Sequence, residues 1–154
     1  MGDSNDVFDS IITKDTNADR IKEYIQKYNN TIHGDVKELY SIGEDIGYIH
    51  INLEDIEDFL SKGFDVYITT TITEGRENCM KKATENAISK LGIDPKHTMY
   101  AILVVWKGSS TEFTVKEQNN LYCFYKLFKE NFCWGIYPHE TLGDKIKVTL
   151  MVIA

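Results

Sequence analysis

The stretch Ile49-His50-Ile51-Asn52-Leu53-Glu54-Asp55-Ile56-Glu57-Asp58-Phe59-Leu60 gathers four acids and an asparagine around an apolar stripe. Carboxylates grouped in this way can move a proton or orient a water, the work of general acid–base catalysis. The same residues also suit a plain helix start. Asn52 is a good N-cap, and Asp55, three residues on, can reach back to it as the second half of a capping box. Glu54 and Asp55 then lie in the first turn, where the helix dipole favours each anion by roughly 0.3–1 kcal/mol. Leu53, Ile56, Phe59 and Leu60 form the stripe to be buried, and Gly63 ends the helix.

Other groupings able to do chemistry are sparse. Ser109 and Ser110 follow Gly108 without the spacing of a nucleophile elbow. His33, His50, His97 and His139 are isolated along the chain and suit loops or the surface. Cys79, Cys123 and Cys133 are odd in number and match no metal-binding pattern, so they are expected to be free, mostly buried thiols. A metal site of Cys123, Cys133 and His139 is the weaker reading, and no metal or cofactor is expected. Gly43-Glu44-Asp45-Ile46-Gly47 has glycines at its ends but acids between them, which repel phosphate. No Gly-x-x-x-x-Gly-Lys-Ser/Thr sequence and no Gly-Gly-Gly-Thr-Gly sequence occurs. Arg20 and Arg76, the only arginines, suit helix starts or the surface better than anion clamps. Trp106 and Trp134 fall in apolar strands and suit the core better than a ligand platform.

Composition bounds the partners. The net charge of −7 disfavours nucleic acid and anionic membrane, since both need a basic surface. No apolar run is long enough for a membrane span and no signal peptide is evident, so the expected location is the cytoplasm. At 154 residues and 42% hydrophobic, the chain can bury the core of one domain.

The elements that would position the acidic stretch follow from periodicity. Residues 1–15 are polar and acidic and are expected to be partly disordered. A capping box at Thr16 and Asp19 opens a helix with Ile21, Tyr24, Ile25 and Tyr28 on one face, ended by Asn29-Asn30 and Gly34. Val36, Leu39, Tyr40 and Ile42 suit a short helix. Phe64–Ile72 alternates as a strand, Glu74-Gly75 turns, and Arg76–Leu91 is an amphipathic helix stopped by Gly92. Met99–Trp106 is apolar at nearly every position, as in a strand buried on both faces. Thr114 and Glu117 open a helix carrying Val115, Leu121, Tyr122, Tyr125 and Phe128. Phe132–Tyr137 and Ile146–Val152 are strands, joined by a hairpin loop at His139–Asp144 in which Gly143 can take positive φ. The prediction is an α/β (α+β) two-layer sandwich: a four-stranded mixed sheet, two crossover helices on one face, and an N-terminal helical segment. The two crossovers give parallel neighbours and the last strand is antiparallel by its hairpin. The buried central strand requires cover on the second face, from the Thr16–Asn29 helix or from a partner; the helix is expected to pack there through Ile21, Tyr24, Ile25 and Tyr28.

Several segments resemble the C-terminal domain of the tubulin/FtsZ family. Phe132–Ala154, "FCWGIYPHETLGDKIKVTLMVIA", is similar to the family's run from an "FGA" strand through "LGD" to a terminal "VTVIA" strand. Leu142-Gly143-Asp144, Val148-Thr149 and Val152-Ile153-Ala154 carry that match. Tyr100–Glu117 resembles the preceding strand, loop and helix start, and Thr71–Lys90 resembles the Gly-Glu-Asn-Arg helix region. The resemblance spans about residues 48–154, leaving 1–47 as an N-terminal polar and helical extension too short to hold the family's nucleotide domain.

In that family the loop equivalent to the acidic stretch reads Asn-x-Asp-x-x-Asp. It enters the nucleotide site of the next subunit in a filament, where its acids position the water that attacks GTP. His50, Asn52 and Asp55 stand at those positions here, so only the last acid is kept. The resemblance therefore implies a protein that is not an enzyme, does not bind GTP, and acts by protein–protein contact. The setting would be the cytoskeleton or cell division, on a related filament or in self-assembly. His50, Asn52, Glu54 and Asp55 are the expected interface residues. The alternative is a small-molecule-binding protein or enzyme on an oligomeric α/β sandwich, with its site near Gly108–Thr111 and His139-Glu140. A third reading is a fragment or decayed relative with no role of its own.

Overall fold

The structure is a computed structural model that describes residues 17–44, 51–74, 79–108, 115, 119, 126–128 and 132–153. The predicted cap at Thr16, the Glu44–His50 connection beyond Glu44, the turn after Glu74, the loop at 109–114 and most of the Thr114 helix lie outside the described residues.

In chain order the elements are α1 (Asn17–Lys27), β1 (Thr31–His33), α2 (Lys37–Glu44), α3 (Leu53–Leu60), β2 (Asp65–Glu74), α4 (Cys79–Leu91), β3 (Tyr100–Lys107), β4 (Phe132–Pro138) and β5 (Lys145–Ile153). The strands form one mixed sheet in the order β1-β2-β5-β3-β4. β1 runs parallel to β2, and β4 runs parallel to β3, with Ala101 opposite Phe132. β5 is antiparallel to both of its neighbours, with Ile153 opposite Val66 on one side and Tyr100 on the other.

The predicted α/β sandwich with a mixed sheet is present, with five strands among the described residues instead of four. The extra strand, β1, is three residues long, too short for alternation to reveal it. It ends because Gly34 turns away with φ 129°. A Cβ at Gly34 would collide with the Ile68 carbonyl, so glycine is what lets the chain leave β2 there. The expected hairpin between the last two strands does not form. The β4–β5 connection instead carries the chain past the end of β3, and β5 inserts between β3 and β2. β2 and β3 are consequently parallel but not adjacent. Gly143 does take positive φ, at 62°.

Period-2 alternation divides the sheet residues between two buried layers. Ala101, Leu103, Val105, Ile146, Val148, Leu150 and Val152 face α4, whose Met80, Ala83 and Ala87 pack on them with Phe128. Ile102, Val104, Trp106, Met151 and Ile153 face the other way, against Ile21 of α1, Leu39 and Ile42 of α2, and Ile56, Phe59 and Leu60 of α3. β3 is therefore covered on both faces, as its continuous apolar run requires. Ile21 is fully buried, and Tyr24, Ile25 and Tyr28 pack beside it, so α1 covers the second face through the four residues its spacing predicts.

Candidate interaction site at the start of α3

Helix α3 is held from both ends and from below. Ile56, Phe59 and Leu60 are fully buried, at i, i+3 and i+4 spacing. Ile51, just before the cap, is also buried in that cluster, which is the arrangement of a hydrophobic staple between N′ and N4. The Ile51 backbone N–H donates to the buried Tyr137 hydroxyl of β4 at 2.9 Å. At the far end, the Asn30 side-chain amide donates to the Leu60 and Gly63 carbonyls, each at 3.0 Å. On the flank, Glu57 accepts from the Tyr28 hydroxyl at 2.8 Å and from Lys27 Nζ at 3.0 Å. These bonds hold the Glu57 carboxyl below its ordinary value, the Tyr28 bond first and Lys27 next. They hold Lys27 above its own, chiefly through Glu57.

The predicted interface residues divide at this turn. Asn52 occupies the N-cap with extended backbone (φ −80°, ψ 157°). Its N–H donates to Asp55 Oδ2 at 3.1 Å, so the Asp55 carboxylate satisfies one of the helix's unpaired first-turn donors. Asp55 is half-buried, while Asn52 and Glu54 are exposed. His50 lies outside the described residues. The turn thus presents one carboxylate, Glu54, and one amide, Asn52, to solvent, with Asp55 tied into the cap.

Asp55 also lies close enough to β4 to act on Cys133. Burial raises the Cys133 thiol most, and the Asp55 charge raises it further, to about 12. At neutral pH this sulfur is a thiol and a poor nucleophile or metal ligand. Of its suggested partners in a metal site, Cys123 lies outside the described residues. His139 places its ring edge-on to Trp106 at 6.3 Å, with Nδ1 3.0 Å from the Thr141 hydroxyl. Among the described residues no group of three His, Cys, Asp or Glu side chains is placed to hold a metal ion. Gly108, at the alternative site, is buried against Gly143, whose carbonyl a Cβ would strike, and Glu140 is exposed. Ser109–Thr111 lie outside the described residues.

Two polar groupings escape sequence reading. The first is the Tyr28–Glu57–Lys27 clasp between α1 and α3. The second joins α2 to the sheet. Glu38 Oε1 pairs with Lys147 Nζ at 3.0 Å, and Glu38 Oε2 accepts from the Thr149 hydroxyl at 3.4 Å. Thr149 Oγ1 in turn accepts from Trp106 Nε1 at 3.3 Å. Trp106 is 2% exposed and belongs to the core, as expected. Neither grouping has a local signature, because the partners are brought together only by the packed layers.

No family model matches the sequence, and no curated protein matches it. Solved structures do. The FtsZ dimer of M. jannaschii superposes with a TM-score of 0.66 at 19% identity, over 77% of this chain and 35% of that one. The GTPγS-bound protofilament of CetZ2 from Haloferax volcanii gives 0.57 at 13% identity, over 77% and 36%. The GDP-form protofilaments of TubZ from Bacillus thuringiensis serovar israelensis give 0.56 at 12% identity, over 77% and 34%. The fold is that of a partial tubulin/FtsZ-like domain. The chain spans about a third of the length of these structures. Among the described residues no helix is long and apolar enough to cross a membrane.

Proposed function

We propose that the chain is a cytoplasmic, non-catalytic protein that acts by contact with other proteins. It docks on a filament of the tubulin/FtsZ type or takes part in an assembly of its own, and neither binds nor hydrolyses GTP. The observation that carries this reading is the fold likeness: three filament-forming or self-associating proteins share 77% of this chain's fold, while the chain spans only about a third of each. The α3 turn supports it. Asn at position 52 cannot act as a carboxylate base, and the Asp55 carboxylate is engaged by the Asn52 N–H at 3.1 Å. Asn52 and Glu54 remain exposed for a partner.

Co-sedimentation with an assembled FtsZ polymer tests the proposal. The wild-type chain is expected to pellet with polymer. Glu54→Lys, which reverses an exposed charge without touching the cap, is expected to stay largely in the supernatant with unchanged circular dichroism. A wild-type chain that neither pellets nor self-associates overturns the reading, as does GTP turnover by the purified chain.

A further inference from the structure

Opposite ends of the domain carry complementary surfaces. β2, β3 and β4 run in one direction, because β5 is antiparallel to both β2 and β3 while β4 is parallel to β3. The α3 turn sits at the finishing end of these strands, where the Ile51 N–H meets Tyr137 near the end of β4. At the starting end, just before β2, the end of α1 and the link that follows α3 line a groove of about 380 Å³. Among its described lining residues the charged ones are Lys27 and Lys62, a basic spot on a chain of net charge −7. Lys27 pairs with Glu57 at 3.0 Å and Lys62 with Asp58 at 3.3 Å. Their side chains remain 61% and 39% exposed, and an ammonium has three donors, so both still offer charge to the groove. Phe64, 67% exposed, leaves an aromatic wall without cover. The walls are fixed, since the Asn30 amide ties the Leu60 and Gly63 carbonyls and the Thr31 N–H donates to the Phe64 carbonyl at 2.8 Å.

We infer that this groove receives the α3 turn of a second copy of the chain, so that copies stack head to tail. The inference rests on the reading of that turn as an interaction surface and names what the turn docks on in the chain's own assembly. The exposed Glu54 carboxylate enters between Lys27 and Lys62, and its methylenes lie against Phe64. The two surfaces differ and sit at opposite ends of the sheet. Each added copy therefore brings a new free turn or a new free groove, and the contact leads to an open-ended stack instead of a closed dimer. Exposed charge pairs contribute little each and are screened by salt, so the stack is reversible and weakens as salt rises.

Sedimentation velocity over a concentration series at low salt reads the outcome. The wild-type chain is expected to form oligomers beyond the dimer. Glu54→Lys and Lys62→Glu each bring like charges together and are expected to weaken self-association about tenfold or more, with unchanged circular dichroism. The double variant Glu54→Lys/Lys62→Glu reverses the pair and is expected to regain assembly. Zero-length carbodiimide crosslinking of mixed isotope-labelled and unlabelled chains is expected to join Glu54 of one copy to Lys27 or Lys62 of the next. The inference is overturned by a wild-type chain that stays monomeric, by assembly that stops at a dimer, or by a double variant that does not recover. Crosslinks from these lysines to an acid within residues 1–15 of the same chain, in place of Glu54, overturn it too. Assembly lost in Glu54→Lys but intact in Lys62→Glu removes the groove and leaves the α3 turn standing. Assembly and FtsZ co-sedimentation that are both indifferent to Glu54→Lys remove the α3 reading and this inference with it.

Discussion

Asp55 has two physical duties, and both can be measured. Its carboxylate closes the α3 cap by accepting the Asn52 N–H at 3.1 Å. Asp55→Ala is expected to lower stability by about 1 kcal/mol, the usual worth of a helix-cap bond. Its negative charge also adds to burial in holding the Cys133 thiol at about 12. In the same variant the Cys133 pKa should fall while burial keeps it above the ordinary thiol value. The rate of Cys133 alkylation against pH, read by peptide mapping, checks this. In wild type that sulfur should stay unreactive until strongly alkaline pH or unfolding. The cap was legible in the sequence because Asn52 and Asp55 stand at the spacing a helix start demands. The neighbouring chemistry was not. Nothing in the sequence around Tyr137 marks its hydroxyl as the acceptor for an N–H 86 residues away.

At the scale of elements, the clasp of α1 on α3 makes a pH prediction. Glu57 is depressed below its ordinary value by Tyr28 first and Lys27 second. A carboxyl with a lowered folded-state pKa contributes stability that is present above its unfolded value and disappears as pH falls through the folded one. Thermal midpoints of wild type and Glu57→Gln should therefore differ at neutral pH, and the difference should begin to shrink only below the ordinary carboxyl value of 4.5, vanishing once the folded-state carboxyl is protonated. Most elements are legible in the sequence for a shared reason: an apolar stripe at period 3.6 or 2 is imposed by burial on one face. The path of β5 is not. A six-residue link with a glycine looks like a hairpin whether the next strand folds back beside β4 or passes β3 to the far side. Local chemistry fixes the turn, and only the sheet as a whole selects the neighbour. β1 is hidden for the opposite reason, since three residues carry too little pattern.

At the scale of the whole molecule, α1 and α2 are part of the core. Ile21, Leu39 and Ile42 are fully buried on the same face of the sheet as Ile102, Val104, Met151 and Ile153. Glu38 adds an ion pair to Lys147 of β5 in which both side chains are 17% exposed. A chain shortened to begin at Tyr48 would uncover that face and is expected to lose cooperative unfolding and bind a hydrophobic dye. The same readouts on the full chain provide the comparison. A shortened chain with a sharp thermal transition near that of the full one would show that the N-terminal helices are dispensable.

The central place of β5 has a consequence for synthesis. Every other described strand leaves the ribosome before Lys145, yet β2 and β3 are joined only through β5. Until β5 is made, the β1-β2 and β3-β4 pairs lack the strand that joins them. The sheet can close only once β5 is available to pair with β2 and β3 together, so among the described strands the most C-terminal one completes the fold.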